Sequence, residues 1–371
     1  MADSTPLEER DASSASRSKS ESHTTPPSYA SALSYDRTVD RREVQRCALS
    51  EVFLTDFAQS DSGKYVAAAL LPTSHACFGD HIRVPQAVDT LLLLECCRQA
   101  VICASHRVLG QALESTSQVT DWTFQLVAPA GGEPPPDEAL ASQRDPVQMA
   151  IRLAIASRDQ TQGSVAADFV LDAWHGTRPV AHGKISARFV PTELAESFRL
   201  YYQPKRWITS HELPRTQARP SPVLPAQVAR HNPANVVLTD ARLRPAGVTA
   251  VLGVIPDHPT YFDDPTDHYP AMVLMEAARQ AALLHSGPDG RVLAYRASLY
   301  QLADVGSAVR VVTSGPRGRA AARGGQPEIA VRFMQHGVEL SEVHVKVDVA
   351  ERASAPSSGD KRPPIDGPPT A

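Results

Sequence analysis

The sequence predicts an α+β fold in which one long helix and an antiparallel sheet occur twice along the chain. Two apolar segments, LLLLECCRQA at residues 91–100 and MVLMEAARQA at residues 272–281, share a Glu-x-x-Arg-Gln pattern. Each is followed by segments with alternating apolar and polar residues, which is typical of strands with one buried face. Similar landmarks stand in the same order in both halves, so the repeat unit is a whole domain.

The two halves align at successive landmarks. The stretch RCALSEVFLTD at residues 46–56 matches RHNPANVVLTD at residues 230–240, an offset of 184 residues. His75 and His258 are offset by 183 residues, and Glu95 and Glu276 by 181. Because the offset drifts by only three residues across these landmarks, the sequence indicates a duplicated domain.

Within each half the predicted order is a β-branched strand, a second strand, a polar loop with His and Pro, the apolar helix, and alternating strands. The second strands are KYVAAALL at residues 64–71 and VTAVLGVI at residues 248–255. A helix that is apolar on nearly every side must be wrapped by other structure. This is the layout of a hotdog fold, and two fused copies, a tandem double hotdog, mimic a hotdog dimer whose active sites lie between protomers.

Composition sets the expected domain limits. Residues 1–40 and 351–371 are rich in Ser, Pro and charge, and we expect both tails to be disordered. The first hotdog repeat is expected at residues 41–197 and the second at residues 225–350. A Pro-rich linker at residues 198–224 is expected to join them.

Charge and cysteine content exclude several classes of protein. The chain has 371 residues and a formal net charge of -4, which gives no electrostatic support for binding nucleic acid or a membrane surface. Five cysteines without metal-ligand spacing are typical of reduced thiols in a cytoplasmic protein. We find neither a secretory h-region nor a run of eighteen apolar residues.

The charged pattern within each apolar helix is the main candidate for function. Glu276, Arg279 and Gln280 stand at i, i+3 and i+4, so they share one helix face. One interpretation is an exposed ion pair, which contributes about 0.2–0.5 kcal/mol. The helix lacks a broad polar face, which favours a partly desolvated cleft where charges are paired or used. The first helix repeats the pattern with Glu95, Arg98 and Gln99.

The loop before the second helix, DDPTDHYPAM at residues 263–272, offers further candidates. Pro270 suits a first helical turn, and Asp267 or His268 is expected to cap it. The backbone N–H groups that follow, at Ala271 and Met272, would then be available to an oxyanion or a phosphate.

Histidines near these helices have two interpretations. His268 stands eight residues before Glu276, which suits a general acid–base pair, although a simple turn residue fits equally well. His75 and His258 occupy matching positions after strands, where a pocket role and simple packing are both open. The candidate substrate-binding residues are Asp267, Gln280, Gln99, His258, His75, Ala271 and Met272.

These motifs resemble the A-factor biosynthesis (AfsA-type) family of actinobacteria, whose members contain two hotdog repeats. The resemblance covers about residues 44–350 and is most specific in four segments. They are EVFLTD at residues 51–56, LLLLECCRQA, NVVLTD at residues 235–240 and DHYPAMVLMEAARQAA at residues 267–282.

The resemblance implies an acyltransferase. Such enzymes move a β-ketoacyl group from an acyl-carrier-protein thioester to the hydroxyl of dihydroxyacetone phosphate, without a metal or redox cofactor. The ester leads to γ-butyrolactone-type signals that control antibiotic production. The family's proposed active-site residues correspond to Glu95, Arg98, Glu276 and Arg279, and the mechanism adds His268 or Glu276 as the base.

The chain departs from the family pattern at several positions near the helices. Asp264 stands where the pattern has His, Ala271 where it has Gly, Thr90 where it has Pro and Gln45 where it has His. Two alternatives stay open, the first because the spacing of Pro270, Glu276 and Gln280 resembles a dehydratase helix, and the second because of the departure at Asp264. One is a hotdog dehydratase or thioesterase, which would release enoyl product or free acid without an acceptor. The other is a non-catalytic acyl-ligand-binding regulator, which would bind an acyl ligand and form no product.

Overall fold

The structure is a computed structural model that describes residues 33–60, 63–72, 74–82, 87–129, 133–141, 145–161, 163–202, 208–213, 221–316 and 326–348. The tail predicted at residues 351–371 and residues 1–32 of the other predicted tail lie outside these ranges. Residues 33–40 differ from the disorder expected for them. Leu33 packs with Val66, Ala68 and Ala150, because it covers apolar side chains on the outer face of the sheet.

The first repeat contains a long helix and six strands within the described residues. The helix α1 begins at Thr90, where the carboxylate of Asp89 accepts a hydrogen bond from Leu91 N, and ends at Arg107. Two further helices, α2 and α3, are Pro136–Ala141 and Thr192–Tyr202. The strands are β1 (Leu54–Gln59), β2 (Tyr65–Leu71), β3 (Thr116–Leu126), β4 (Val147–Thr161), β5 (Ser164–His175) and β6 (Arg178–Val190).

The second repeat has the same order in its described part. Its long helix, α4, is Ala271–Ser286. Pro270 is the residue that precedes the first helical turn, and no side chain caps it, so the expected capping by Asp267 or His268 is wrong. The strands are β7 (Leu238–Arg244), β8 (Gly247–Leu252), β9 (Arg291–Leu299), β10 (Arg310–Ser314), β11 (Glu328–Gln335) and β12 (Val338–Asp348).

All twelve described strands form one antiparallel sheet. Their order is β1-β2-β4-β5-β6-β3-β9-β12-β11-β10-β8-β7, so the second half repeats the first in reverse. The halves join where β3 pairs with β9, from Asp121 opposite Ser298 to Gln125 opposite Ala294. This arrangement confirms the predicted tandem double hotdog and gives the two repeats an approximate two-fold relationship.

The two long helices lie within the core that the curved sheet encloses. Nearly every residue of α1 is buried, including the apolar run from Leu91 to Leu94. Helix α4 packs against five strands of its own repeat and also contacts α1. The charged residues of both helices are therefore held in the interior, where unpaired charges are costly.

The segment expected to be a Pro-rich linker contains ordered elements. Helix α3 runs to Tyr202, and a short 3-10 turn at Ser210–Glu212 is tied to the second repeat by a hydrogen bond from Ser210 N to Thr266 O of 2.7 Å. Residues 203–207 and 214–220 of that segment lie outside the described ranges. None of the helices in the described part of the chain is long and apolar enough to cross a membrane.

Candidate active site

The carboxylate of Glu95, fully buried in α1, is held by two arginines and one glutamine. Arg98 Nε lies 2.7 Å from Glu95 Oε2, and Arg98 Nη2 lies 2.8 Å from Oε1. Arg46 Nη2 donates to Oε1 over 2.6 Å from the other side. Gln99 Nε2 also donates to Oε1, over 2.8 Å. The carboxylate thus fixes two guanidinium groups in one place.

The second repeat contains an equivalent cluster around Glu276. Arg279 Nε and Nη2 lie 2.8 and 2.7 Å from its two carboxylate oxygens. Arg230 Nη2 lies 3.0 Å from Oε2, and Gln280 Nε2 donates to Oε1 over 2.5 Å. In each repeat, therefore, two arginines and one glutamine hold the carboxylate of the helical glutamate.

Sequence reasoning missed the second arginine of each cluster, Arg46 and Arg230. They lie 49 and 46 residues before their glutamates, so no helical spacing connects them. The signal was nevertheless present, because each is the first residue of the matching stretches RCALSEVFLTD and RHNPANVVLTD. An arginine at the same position of both repeats, in front of a buried strand, indicates that it has an equivalent partner in each repeat.

Both glutamates are held in the ionised form. Burial by itself would raise the pKa of Glu95, but the charges of Arg46 and Arg98 outweigh it and lower the pKa to about 2. Burial likewise raises the pKa of Glu276, but the charges of Arg230 and Arg279 outweigh it and lower this pKa to about 2. A carboxylate with so low a pKa is a weak proton acceptor at neutral pH, so these side chains serve to position cations.

The two glutamine side chains also connect each helix to its first strand. Gln99 Nε2 donates to Glu51 O over 2.7 Å, and its Oε1 accepts from Phe53 N over 2.9 Å. Gln280 makes the equivalent bonds to Asn235 O and Val237 N, at 2.8 and 3.0 Å. Their predicted contact with substrate stays a prediction, since the observed bonds give them an architectural role.

His75 and His258 have matching architectural contacts. His75 Nε2 lies 3.2 Å from Glu51 Oε1, and His258 Nε2 lies 3.0 Å from Asn235 Oδ1. In both rings Nδ1 accepts hydrogen bonds from the backbone N–H groups two and three residues later. The rings therefore shape the loop before each helix, and a role in substrate binding stays a prediction.

Each cluster is completed by the loop of the other repeat. Arg46 Nη1 donates to Thr260 O over 3.1 Å, and Arg230 Nη1 donates to Cys77 O. The carboxylate of Asp263 accepts from the backbone N–H groups of residues 47 and 48, at 2.6 and 2.8 Å. Asp80 accepts in the same way from residues 231 and 232. The two arginine clusters therefore lie where the repeats meet.

His268 lies beside a carboxylate in the loop that precedes α4. Its Nδ1 is 2.8 Å from Asp267 Oδ1 and 3.1 Å from Thr266 Oγ1. The acidic partner favours the hydrogen on Nδ1, which puts the basic lone pair on Nε2. Asp267, predicted as a substrate contact, thus lies against His268, and this pairing is the arrangement of a general base with its orienting carboxylate.

A cavity of about 510 Å³ brings residues of the two repeats together. Arg46 and Arg98 from the first repeat line it together with His268 from the second. The start of α4 also lines it, at Ala271 and Met272, where a helix offers N–H groups without intrahelical partners. Sequence proximity suggested that His268 would act with Glu276, whereas the shared cavity joins it to the Glu95 cluster.

A second cavity, of about 750 Å³, adjoins the first. Both are lined by Thr116, Ser117, Thr266 and His268. The larger cavity has apolar side chains from β6, α3 and the second repeat, namely Val190, Leu194, Ala195 and Leu302. His268 therefore stands where an arginine-lined space meets a partly apolar one. We call these the arginine cavity and the larger cavity.

Three of the departures from the family pattern are located in the arginine cavity. Asp264 lines it near Cys47, and the carboxylates of Asp264 and Asp263, together with burial, raise the pKa of that thiol. Ala271 lines it at the first turn of α4. Gln45 lines it as well, with a left-handed backbone (φ 51°). In the described residues no three His, Cys, Asp or Glu side chains are grouped to hold a metal ion.

Two hotdog repeats that share one sheet and have an arginine-lined cleft between them define a fused hotdog protein. Comparison with known proteins identifies the family to which this fused hotdog protein belongs. The profile of the A-factor biosynthesis hotdog domain matches residues 29–191 and 211–350. The chain therefore belongs to the A-factor biosynthesis hotdog family.

Curated relatives agree with this assignment. A 2-oxo-3-(phosphooxy)propyl 3-oxoalkanoate synthase of Streptomyces virginiae is 31% identical over 247 residues, which cover 66% of this chain and 76% of the relative. A protein of the same name from Streptomyces griseus is 28% identical over 255 residues, which cover 67% and 76%.

Solved structures with some similarity include a 12:0-ACP thioesterase from Umbellularia californica, at 9% identity with a TM-score of 0.42, covering 76% of this chain and 94% of that one. A variant of GphF DH1 is similar at 16% identity with a TM-score of 0.45, covering 81% and 98%. Scores this low add nothing to the argument about function.

Proposed function

We propose that this protein transfers a 3-oxoacyl group from an acyl-carrier-protein thioester to the hydroxyl of dihydroxyacetone phosphate. The names of the curated relatives describe the ester that such a transfer would form. The single observation that supports it most directly is the meeting of two cavities at His268, because a transfer needs room for a donor and an acceptor at once.

The arginine cavity suits the phosphorylated acceptor. Arg46 and Arg98 are held rigidly by Glu95, yet their side chains keep 10% and 14% of their surface exposed. A planar guanidinium in a fixed position binds phosphate oxygens in pairs. The acceptor phosphate would be bound by these two side chains, and its hydroxyl would then point toward His268.

The larger cavity suits the acyl thioester, because its apolar side chains can cover a hydrocarbon chain. In the proposed step His268 Nε2 accepts the hydroxyl proton while the oxygen attacks the thioester carbonyl. The N–H groups at Ala271 and Met272 stabilise the oxyanion. Collapse of the intermediate breaks the C–S bond, and the proton passes from His268 to the departing thiolate. The products are the phosphorylated ester and the free thiol of the carrier protein.

The test is to incubate the full-length protein with a 3-oxoacyl-carrier-protein thioester and dihydroxyacetone phosphate, and to identify products by mass spectrometry. We expect an ester that contains both the acyl group and the phosphate. His268→Asn should lose it, whereas His336→Asn, at an exposed turn position that lines neither cavity, should keep it. Free acid or an enoyl thioester formed without the acceptor would contradict the proposal, as would an intact thioester in every reaction.

A further inference from the structure

We infer that the chain has one catalytic centre, formed by the Glu95 cluster and His268, and that the Glu276 cluster is a structural lock between the repeats. This inference rests on the proposed function and identifies which of the two similar clefts performs it. Three differences between the clefts support it, and each concerns residues at equivalent positions of the two repeats.

The first difference is the proton acceptor. His268 stands eight residues before Glu276 and serves the cleft of the first repeat's cluster. The residue eight positions before Glu95, which would serve the other cleft, is Ala87. An alanine side chain cannot move a proton. His81 also lines this cleft, but it stands six residues earlier than Ala87. Its buried Nδ1 has no hydrogen-bond partner among the described residues, whereas Nδ1 of His268 lies beside the Asp267 carboxylate.

The second difference is space. The cleft beside Arg279 has a volume of only about 50 Å³, against about 510 Å³ for the arginine cavity. A neighbouring cavity of about 550 Å³ is also lined by His81 and Asp89, but neither Arg230 nor Arg279 lines it. On one side Thr90 Oγ1 lies 3.4 Å from Tyr295 Oη. On another side Asp137, at the start of α2, forms a buried ion pair with Arg291. The segment between β9 and β10, which is fully described, contains no helix equivalent to α2, so nothing similar fills the arginine cavity.

The third difference is charge. Asp89 Oδ2 lies 3.6 Å from Arg230 Nη2, so this arginine faces two carboxylates, Asp89 and Glu276. The position equivalent to Asp89 in the second repeat is Pro270, which carries no charge. Arg230 is also fully enclosed, with 0% of its side chain exposed. Arg46 is also close to Glu51 and Asp263 in addition to Glu95, but 10% of its side chain is exposed. The fully enclosed guanidinium of Arg230 is therefore the one that is not available to a substrate phosphate.

The contacts of Arg230 explain what the Glu276 cluster does instead. Its Nη1 donates to the backbone carbonyls of Cys77 and Asp80 in the first repeat. Asn235 Nδ2 donates to Asp80 Oδ2 and to the carbonyl of Ala76. The cluster thus fastens the loop of the first repeat onto the second, with every partner buried or partly buried. Such a network stabilises a particular arrangement of the repeats.

The number of acceptor sites is the first test, because it does not depend on catalysis. We would titrate the full-length protein with dihydroxyacetone phosphate, and separately with inorganic phosphate, by isothermal titration calorimetry. The expected stoichiometry is one per chain. Two equivalent sites per chain would overturn the inference even if the transfer reaction were established.

A matched pair of cavity-filling variants provides the second test. Val119→Trp places an indole in the arginine cavity, and Ala87→Leu occupies the small cleft. We expect Val119→Trp to reduce phosphate binding and ester formation at least about tenfold, and Ala87→Leu to leave both within about twofold of the wild type. A tenfold loss in folded Ala87→Leu protein would show that the second cleft is used. If neither variant alters phosphate binding and the wild type forms no ester, the proposed function itself fails.

Discussion

Nδ1 of His268 lies 2.8 Å from Oδ1 of Asp267, in the loop that leads into α4. The pair comes from the second repeat, whereas the arginines across the cavity belong to the first. The proposed catalysis needs both repeats, because His268 comes from the second repeat and the arginines come from the first.

The imidazole of His268 should control the rate of transfer. General acid–base catalysis by a positioned side chain contributes about 10²–10⁴-fold, so we expect His268→Asn to lower kcat at least about 100-fold. The thermal midpoint should change little, since the ring is part-buried in a loop. Steady-state kinetics and a thermal melt measure the two effects. A kcat within a few fold of the wild type would remove His268 from the mechanism.

Arg98 should control the affinity for the phosphorylated acceptor. Lysine keeps the charge but cannot make a paired contact with phosphate or with Glu95. We therefore expect Arg98→Lys to raise KM for dihydroxyacetone phosphate about tenfold or more, with a smaller effect on KM for the thioester. Initial rates with each substrate varied in turn separate these effects. Equal increases for both substrates would argue against a phosphate contact.

Loss of the Glu276 charge should destabilise the protein. Removal of one partner from a buried ion pair typically costs about 3–5 kcal/mol, because Arg230 and Arg279 remain buried without their counter-charge. We expect Glu276→Gln to lower the free energy of unfolding by an amount in this range. Chemical denaturation measures it, with Glu328→Gln, at an exposed ion pair, as the control. Equal stability of both variants would be inconsistent with a structural lock.

Stability should fall with acidification in a defined window. The pKa of Glu95 and that of Glu276 are lowered from 4.5 to about 2 in the folded protein. The unfolded chain therefore binds protons first, and the stabilisation from these groups is complete above pH 4.5 and is lost as the pH falls toward 2. The free energy of unfolding, measured between pH 4.5 and about pH 2, should decrease as the pH falls. The decrease should be less steep in Glu276→Gln. A flat profile would indicate that the two carboxylates are not held ionised.

The loop contacts between the repeats should also contribute measurably to the free energy of unfolding. Asp263 accepts two backbone hydrogen bonds from the opposite repeat, at 2.6 and 2.8 Å. Hydrogen bonds to a charged group contribute about 1.5–3 kcal/mol, so Asp263→Ala should lower stability by about 2 kcal/mol. Denaturant titration measures this loss. Asp289→Ala, at an exposed turn position, is a suitable comparison.

The repeat and both long helices were predictable because their signals are local. The apolar run of α1 and the Glu-x-x-Arg-Gln spacing depend on neighbours within one or two turns. Arg46 and the link between His268 and the Glu95 cluster were not predicted, because the groups that meet there are separated by long stretches of chain. The proximity of Asp89 to Arg230 was not predictable for a similar reason, since Arg230 belongs to the other repeat.

The burial of Leu33 and Val39 within the predicted N-terminal tail shows the limit of a compositional argument. Tyr35 Oη donates to Met149 O over 3.2 Å, and Val39 N donates to Leu54 O over 3.0 Å. Leu33 and Val39 stand at the end of a long polar segment, so the average composition of residues 1–40 does not indicate their burial. A window shorter than the segment would have separated them from the tail.

The pairing of β3 with β9 makes the contact between the halves an event within one molecule. A pair of separate hotdog subunits comes apart on dilution, and its melting temperature therefore depends on concentration. In a fused chain the partner is always present at the high local concentration set by the connection. Because both halves belong to one chain, a substitution can change one half alone. In a dimer of identical subunits the same substitution would change both. The contrast between Ala87 and His268 is a difference of this kind, open to a fused chain and closed to a symmetric dimer.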